Sequence, residues 1–277
     1  MPELPEVETI CRSLRCHVEG KVIRDVEIHL PRLIKWPSPE DFRAILVDRR
    51  IRVLQRRAKY MLFYLTDGWV LVIHLRMTGR LYFRSGDTPA DIAAKVVFHF
   101  NDGDALEYSD ARTLGTLYLL RHNELERIYG LATLGPEPLS EHFTVGYLKD
   151  ELAKRKGKLK MVLLDQRLIG GLGNIYVDES LARAGLHPER KANALSDEEI
   201  ARLHASINAV IEKGIGSGGT TLRDYRDGEG NMGSFQEELC VYGREGEACP
   251  VCGSAIVKTT VAGRGTHYCP HCQRKPS

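Results

Sequence analysis

The sequence predicts an α+β multidomain chain, and three observations carry that reading. Short alternating segments joined by tight-turn dipeptides fill the first 130 residues. The apolar period then changes from two to about 3.6. Four cysteines crowd into the last 29 of 277 residues. A β-rich unit, a helical unit and a small metal-bound unit follow in that order.

The first element is a helix over 5–15, where Val7, Ile10, Cys11 and Leu14 fall at i, i+3, i+4, i+7. Strand texture follows in "VEIHL" (26–30). "YMLFYL" (60–65) and "WVLVIHLRM" (69–77) flank "TDG", and "VVFHF" (96–100) and "ALEY" (105–108) flank "NDGD". Both pairs read as hairpins, so an antiparallel sandwich or barrel is expected over 1–133. "LGPEPLS" marks a linker at 134–144. Ser196 and Glu199 form a capping box ahead of Ile200, Leu203, Ile207, Val210 and Ile211, one face of a helix within a helical stretch over about 145–213. The helical domain is expected to run over 145–240 and to carry a mobile loop at 217–236. A third unit is expected over 241–277.

In that unit "CPVC" (249–252) and "CPHC" (269–272) give C-x2-C-x16-C-x2-C. Cys249, Cys252, Cys269 and Cys272 at this spacing predict one tetrahedral Zn²⁺. Four thiolates leave no position for water, so the metal is structural. "IVKTTVAGRGTHYC" between the knuckles reads as a hairpin with Arg264 at its tip, suited to a phosphate. Cys11, Cys16 and Cys240 are scattered and expected to be reduced and buried. No signal segment precedes them, which points to a reducing cytoplasm. No run of about 18 apolar residues is present, so no membrane partner is expected.

Net charge is only +2, but the basic residues cluster: "DRRIRVLQRRAK" (48–59) holds six Lys/Arg, and "KRKGKLK" (154–160) holds five. "GGLGNIYVDESL" puts a glycine turn before a helix, with Asn174 read as its N-cap. A helix N-terminus presents free N–H groups and a partial positive charge, an anion site. Hairpin, helix turn and basic runs together point to nucleic acid.

The N-terminus, "MPELPEVE", carries chemistry. Removal of Met1 would leave Pro2 with a free secondary amine, whose ordinary pKa lies at about 7.7–8.0; Lys59 would lower it. Such an amine attacks a carbonyl-like carbon to give a charged iminium with no neutral imine form. At a sugar C1′ that acidifies C2′–H and favours loss of the 3′ phosphate. Glu3 and Glu6 stand beside it as proton carriers.

"PELPEVE", "RRAKYML", "HLRMTGR", "SDAR", "LLDQ…GLGNIYVDESL" and "VAGRGTHYCPHCQ" together resemble the bacterial formamidopyrimidine-DNA glycosylase family, over essentially the whole chain. The resemblance implies a β-sandwich with an N-terminal helix, a helix-two-turn-helix domain and a zinc hairpin. It implies a monomeric base-excision repair enzyme acting on double-stranded DNA that contains an oxidised purine or an abasic site. The base would be excised and the strand cut by β,δ-elimination. By match, Pro2 is the nucleophile and Glu3 the proton donor, Lys59 assists β-elimination and Arg264 δ-elimination. His74, Arg155, Lys160, Asn174 and Arg264 hold phosphates, with Tyr242 near them. Met77, Arg112 and Leu114 form the wedge that fills the flipped base's gap, Arg112 facing the orphaned cytosine. Leu114 departs from the family's usual phenylalanine. The 217–236 loop corresponds to a lid over the lesion.

Overall fold

The structure, a computed structural model, describes residues 2–222 and 225–275; Met1 and two residues of the expected lid, Arg223 and Asp224, lie outside the described residues, as do Pro276 and Ser277. The chain divides into two units, Met1–Ala132 with Ser217–Ser234, and Thr133–Gly216 with Phe235–Ser277.

In the first unit, α1 (Leu4–Val18) opens the chain, and Val7, Ile10, Cys11, Leu14 and Val18 are no more than 1% exposed. This is the 3.6-period stripe expected of a helix laid on a core. Then come β1 (Ile23–Ile28), β2 (Ile34–Trp36), α2 (Pro39–Leu46), β3 (Ile51–Arg57), β4 (Tyr60–Leu65), β5 (Trp69–His74), β6 (Gly79–Arg84), β7 (Ala94–Phe100), β8 (Ala105–Asp110), β9 (Thr116–Arg121) and the one-turn α3 (Tyr129–Ala132). β2-β9-β5-β4-β3 form a five-stranded sheet and β1-β7-β8-β6 a four-stranded one. Every pairing is antiparallel except β2 with β9. Side chains from both sheets and from α1 join one buried cluster, so the unit is a sandwich.

Both expected hairpins form, and each turn carries the left-handed backbone its sequence suggested. Asp67 and Gly68 have φ of 58° and 74° between β4 and β5, and Gly103 has 95° between β7 and β8. β1 starts and ends earlier than the alternation at 26–30 suggested. His29 and Leu30 both donate to the Lys95 carbonyl, at 2.9 and 3.2 Å, which ends the ladder.

The second unit contains α4 (Val145–Ala153), α5 (Leu159–Leu163), α6 (Asn174–Ala184), α7 (Asp197–Gly216) and the hairpin β10 (Val257–Val261) and β11 (Arg264–Tyr268). The Ser196–Glu199 box forms reciprocally: Ser196 N–H donates to Glu199 Oε2 at 2.9 Å, and Glu199 N–H to Ser196 Oγ at 3.2 Å. α6 and α7 pack closely enough that a Cβ on Gly214 would lie 2.5 Å from the Tyr176 ring. α6 ends on Gly185 in the left-handed conformation, φ 68°. Of the scattered cysteines, Cys11 is buried as expected. Cys16 and Cys240 are exposed, Cys16 because it falls off the buried stripe of α1. No helix among the described residues is long and apolar enough to cross a membrane.

Candidate functional site

At the start of the first unit Pro2, Glu3 and Glu6 are buried, and so is Lys59; Glu3 is 3%, Glu6 2% and Lys59 7% exposed. Carboxylates and amines are rarely hidden so far without charge or hydrogen-bond partners, so each of these side chains is held in place rather than buried by accident. Lys59 sits in the β3–β4 turn, where Ala58 takes a left-handed φ of 50°. Arg56 braces that turn by donating to the Ala58 carbonyl at 3.1 Å and to Glu8 at 2.9 Å.

Glu6 is placed differently from a proton carrier. Its Oε2 accepts the Glu3 N–H and its Oε1 the Thr220 N–H, each at 2.8 Å. One carboxylate thus joins the start of α1 to the segment that follows α7. Tyr225 strengthens the joint by donating from its hydroxyl to the Gly218 carbonyl at 3.1 Å. Gly219 (φ 83°) and Gly233 allow it: a Cβ on Gly233 would fall 2.2 Å from the Gly219 carbonyl oxygen. Thr220 and Tyr225 went unread in the sequence, since a polar loop gives no sign of where it folds back.

His74, Met77, Arg112 and Leu114 lie on or beside two connections between the sheets. Residues 75–78 join β5 to β6 and 111–115 join β8 to β9. His74 pairs with Thr116 at one end and Gly79 with Asp110 at the other, so the two run side by side. Met77 and Leu114 are 42% and 47% exposed although apolar, and Arg112 is exposed. What fixes these loops is Asp110, itself 1% exposed. Its Oδ1 accepts from Thr78 Oγ1 at 2.6 Å and Arg112 N–H at 3.2 Å; its Oδ2 accepts from Gly115 N–H at 2.8 Å and Tyr108 OH at 3.2 Å. The Tyr108 hydroxyl fills the space beside two glycines: a Cβ on Gly115 would lie 1.7 Å from it, and one on Gly79 2.7 Å. Asp110 stood in the quoted "SDAR", but nothing local marked it as buried. His74 is 6% exposed, and burial, with Arg76 and Lys59 nearby, pulls its pKa down to about 3. Its Nδ1 accepts the Arg76 N–H at 3.0 Å, so the neutral ring carries its proton on Nε2.

In the second unit the hairpin turn is two residues, Ala262 (φ 49°) and Gly263 (φ 75°), the geometry of a type I′ turn. Arg264 is therefore the first residue of the returning strand, paired with Val261, rather than the tip itself; it is exposed. Asn174 is the first helical residue of α6, and Gly173 is the N-cap. The Asn174 side chain instead donates to the Gly265 carbonyl at 3.0 Å. Lys160 donates to that carbonyl as well, at 2.8 Å, and pairs with Asp178 at 2.7 Å with both side chains fully buried. The expectation of an open phosphate contact at Lys160 is corrected by this burial: its ammonium holds the hairpin. Asp178 also accepts the His267 N–H at 3.0 Å. The next residue, Glu179, accepts the N–H groups of Cys240, Val241 and Tyr242 at 2.8–2.9 Å. Burial raises its pKa and those three bonds oppose the rise. Tyr242 is thereby set with its ring 5.0 Å from that of His267. Two adjacent acids inside the apolar face of "NIYVDESL" were the available signal for this clamp.

The basic runs are less open than their composition suggested. Arg155 pairs with Glu151 and Lys158 with Glu189, and Lys154 reaches Glu151 at 2.7 Å. In the other run Arg49 pairs with Asp67 and Arg56 with Glu8.

The four knuckle cysteines converge, every Sγ within 4.8 Å of the others. Cys249–Cys272 and Cys252–Cys269 sulfurs stand 4.0 and 3.4 Å apart. A tetrahedron of Zn–S bonds of about 2.3 Å has edges of roughly 3.8 Å, and a disulfide needs about 2 Å. The donors fit one closed Zn²⁺ site. It anchors the two ends of the β10–β11 hairpin, leaving the turn beside Arg264 to project.

Three family models match the chain: the formamidopyrimidine-DNA glycosylase N-terminal domain over 1–117, the formamidopyrimidine-DNA glycosylase H2TH domain over 134–226, and the zinc finger found in FPG and IleRS over 246–274. The formamidopyrimidine-DNA glycosylases of Brevibacillus brevis and Bacillus subtilis are each 48% identical, covering 99% of this chain and 99% and 100% of theirs. Among solved structures, a mutant Lactococcus lactis FPG bound to a Fapy-dG containing DNA matches with TM-score 0.93 at 39% identity. The Lactococcus lactis Fpg bound to an abasic site containing DNA matches with 0.92 at 40%; each covers 99% of this chain and 100% of that one. Sandwich, helical unit and cysteine-bound hairpin thus recur in order along full-length relatives, and the chain belongs to the formamidopyrimidine-DNA glycosylase family.

Proposed function

We propose that this chain repairs duplex DNA by excising oxidised purines, formamidopyrimidines and 8-oxoguanine among them, and then cleaves the abasic strand by β,δ-elimination. The observation that supports the reading is the burial of Pro2, of the Glu3 and Glu6 carboxylates and of the Lys59 amine, with Glu6 Oε2 accepting the Glu3 N–H at 2.8 Å. Met1 is first removed. The Pro2 nitrogen then bonds to C1′ of the flipped nucleotide, which is inaccessible while stacked. The base departs with its bonding pair and takes up a proton, and Glu3 is the proton carrier. The ring opens to an iminium, loss of the C2′ proton expels the 3′ phosphate, and a second elimination expels the 5′ phosphate. Water returns the proline amine. Lys59 assists the first elimination and Arg264 the second.

Glu6 is a positioning residue in this scheme, since both of its oxygens hold backbone N–H groups. Through Thr220 it links the segment read as the lid to Glu3. Met77, Arg112 and Leu114 occupy the gap in the stack, and an apolar Leu114 suits that wedge. Neutral His74 donates to a phosphate from Nε2, and Asn174, Arg155 and Arg264 add further contacts. Residues 134–144 serve as the linker, and one structural Zn²⁺ supports Arg264.

The test is covalent trapping. Borohydride added during reaction on 8-oxoguanine or formamidopyrimidine DNA should give a stable adduct that maps to residue 2. Pro2→Gly should lose most trapping and cleavage. Glu3→Gln should bind damaged DNA without excising the base. An adduct at Lys59, or full excision by Glu3→Gln, would overturn the scheme.

A further inference from the structure

On the first unit, at the opposite end of α1 from Pro2, three ligand side chains meet. Cys16 Sγ, an imidazole nitrogen of His17 and a carboxylate oxygen of Glu229 all lie within 4.8 Å of one another, and His17 Nε2 is 2.7 Å from Glu229 Oε1. The first two come from the last turns of α1, the third from a turn more than 200 residues later.

Two of the three are held before any metal arrives. The His17 ring stacks on Phe83 with centroids 4.4 Å apart and planes 17° from parallel. The Glu229 turn is closed by Asp227, whose Oδ1 accepts the Glu229 N–H at 2.9 Å and the Asn231 N–H at 2.8 Å. The same turn is fastened to its surroundings at Gly228. Its N–H donates to Ser13 Oγ and its carbonyl accepts the Phe83 N–H, each at 2.9 Å. A Cβ on Gly228 would lie 2.4 Å from Leu14 Cγ, so only glycine lets this backbone lie on the helix. Cys16 is exposed, and its Sγ, now 3.6 Å from the Ser13 carbonyl oxygen, already lies within 4.8 Å of the other two ligand atoms.

The donor set is one thiol, one imidazole and one carboxylate. That mixture suits a borderline-soft divalent transition metal, whereas Ca²⁺ and Mg²⁺ prefer oxygen ligands. Tetrahedral Zn²⁺ with bonds of about 2.0–2.3 Å needs ligand atoms roughly 3.3–3.6 Å apart. The thiol closes the remaining gap by side-chain rotation, and the His17–Glu229 pair opens slightly. We infer that Cys16, His17 and Glu229 form a second, exchangeable Zn²⁺ site, with its fourth position held by water. Binding releases the Cys16 thiol proton to solvent. The metal would clamp the Ser217–Ser234 segment to α1, joining the helix that begins at the Pro2 corner to the far end of the loop. The site stands apart from the knuckle cysteines and from the excision chemistry, and its existence does not depend on either.

The test starts with full-length protein whose knuckle site is filled with one equivalent of Zn²⁺, to which Co²⁺ is then added. Wild type should take up about one further ion per chain, with a thiolate-to-cobalt absorption band from a single sulfur, and Zn²⁺ should displace it. Cys16→Ser should bind without that band or not at all, and His17→Ala and Glu229→Gln should each weaken uptake. Cys16 and Glu229 are exposed and His17 is half-buried against Phe83, so all three variants should keep one tightly held zinc, with the wild-type melting temperature in Cys16→Ser and Glu229→Gln and a small decrease in His17→Ala, which shows that they fold. No second equivalent in wild type, or uptake and absorption unchanged in Cys16→Ser and His17→Ala, would overturn the site.

Discussion

Replacing Lys160 by methionine separates two uses of one buried cation. If Lys160 holds the hairpin, the variant leaves the Asp178 carboxylate 1% exposed beside the His267 N–H at 3.0 Å, without the ammonium at 2.7 Å. Removing one partner of a buried ion pair costs about 3–5 kcal/mol, because the remaining charge has lost both water and its counter-ion. The Gly265 carbonyl keeps only Asn174 as donor, at 3.0 Å. At roughly 2–4 °C per kcal/mol for a domain of this size, the melting temperature should fall by about 10 °C. The logarithmic salt dependence of DNA binding, measured on the folded variant at low temperature, should keep its wild-type slope, since no phosphate contact is lost. Arg264→Ala is the complementary change. It should melt like wild type and lower the slope by about 0.9, the share of one neutralised phosphate. A Lys160→Met protein that melts within about 2 °C of wild type, with its salt slope reduced, would refute the clamp.

Three further outcomes follow from the site. Asp110→Ala strips the Gly115 N–H and Tyr108 OH of their acceptor in a buried place, which should cost about 2–5 kcal/mol by thermal melting and weaken discrimination of the opposite base; unchanged discrimination would separate Asp110 from the wedge. His74 has a pKa lowered to about 3 when folded against about 6.5 unfolded, so the unfolded chain binds the extra proton between those values and stability falls as pH drops from 6.5 toward 3. That loss is about 2 kcal/mol at pH 5, and His74→Gln should flatten the acid side of the melting-temperature profile; parallel profiles would exclude it. Withdrawing zinc from the four thiolates with a strong chelator should release about one ion per chain and weaken DNA binding; full binding by zinc-free protein would show that the hairpin holds without it.

By itself the sequence determined the local periods and the covalently adjacent chemistry. The α1 stripe, the two hairpins and the Ser196–Glu199 box are short-range patterns, and each formed because the residues that define it lie close together in the chain; the two cysteine pairs, 17 and 23 positions apart, are brought together by the single hairpin between them. Tertiary structure decided which charges were available. Lys160 and Arg155 belong to the same basic run, yet one is buried against Asp178 and the other pairs with Glu151. Glu6 read as a neighbour of Glu3 on a helix start, but its second oxygen is taken by Thr220, 214 positions away. Asn174 read as a cap until Gly265, 91 positions away, claimed its side chain. Asp110 was invisible as a hub because its donors arrive from two loops. Burial and long-range pairing depend on where the backbone returns, so a carboxylate's meaning was set only when the chain had closed around it.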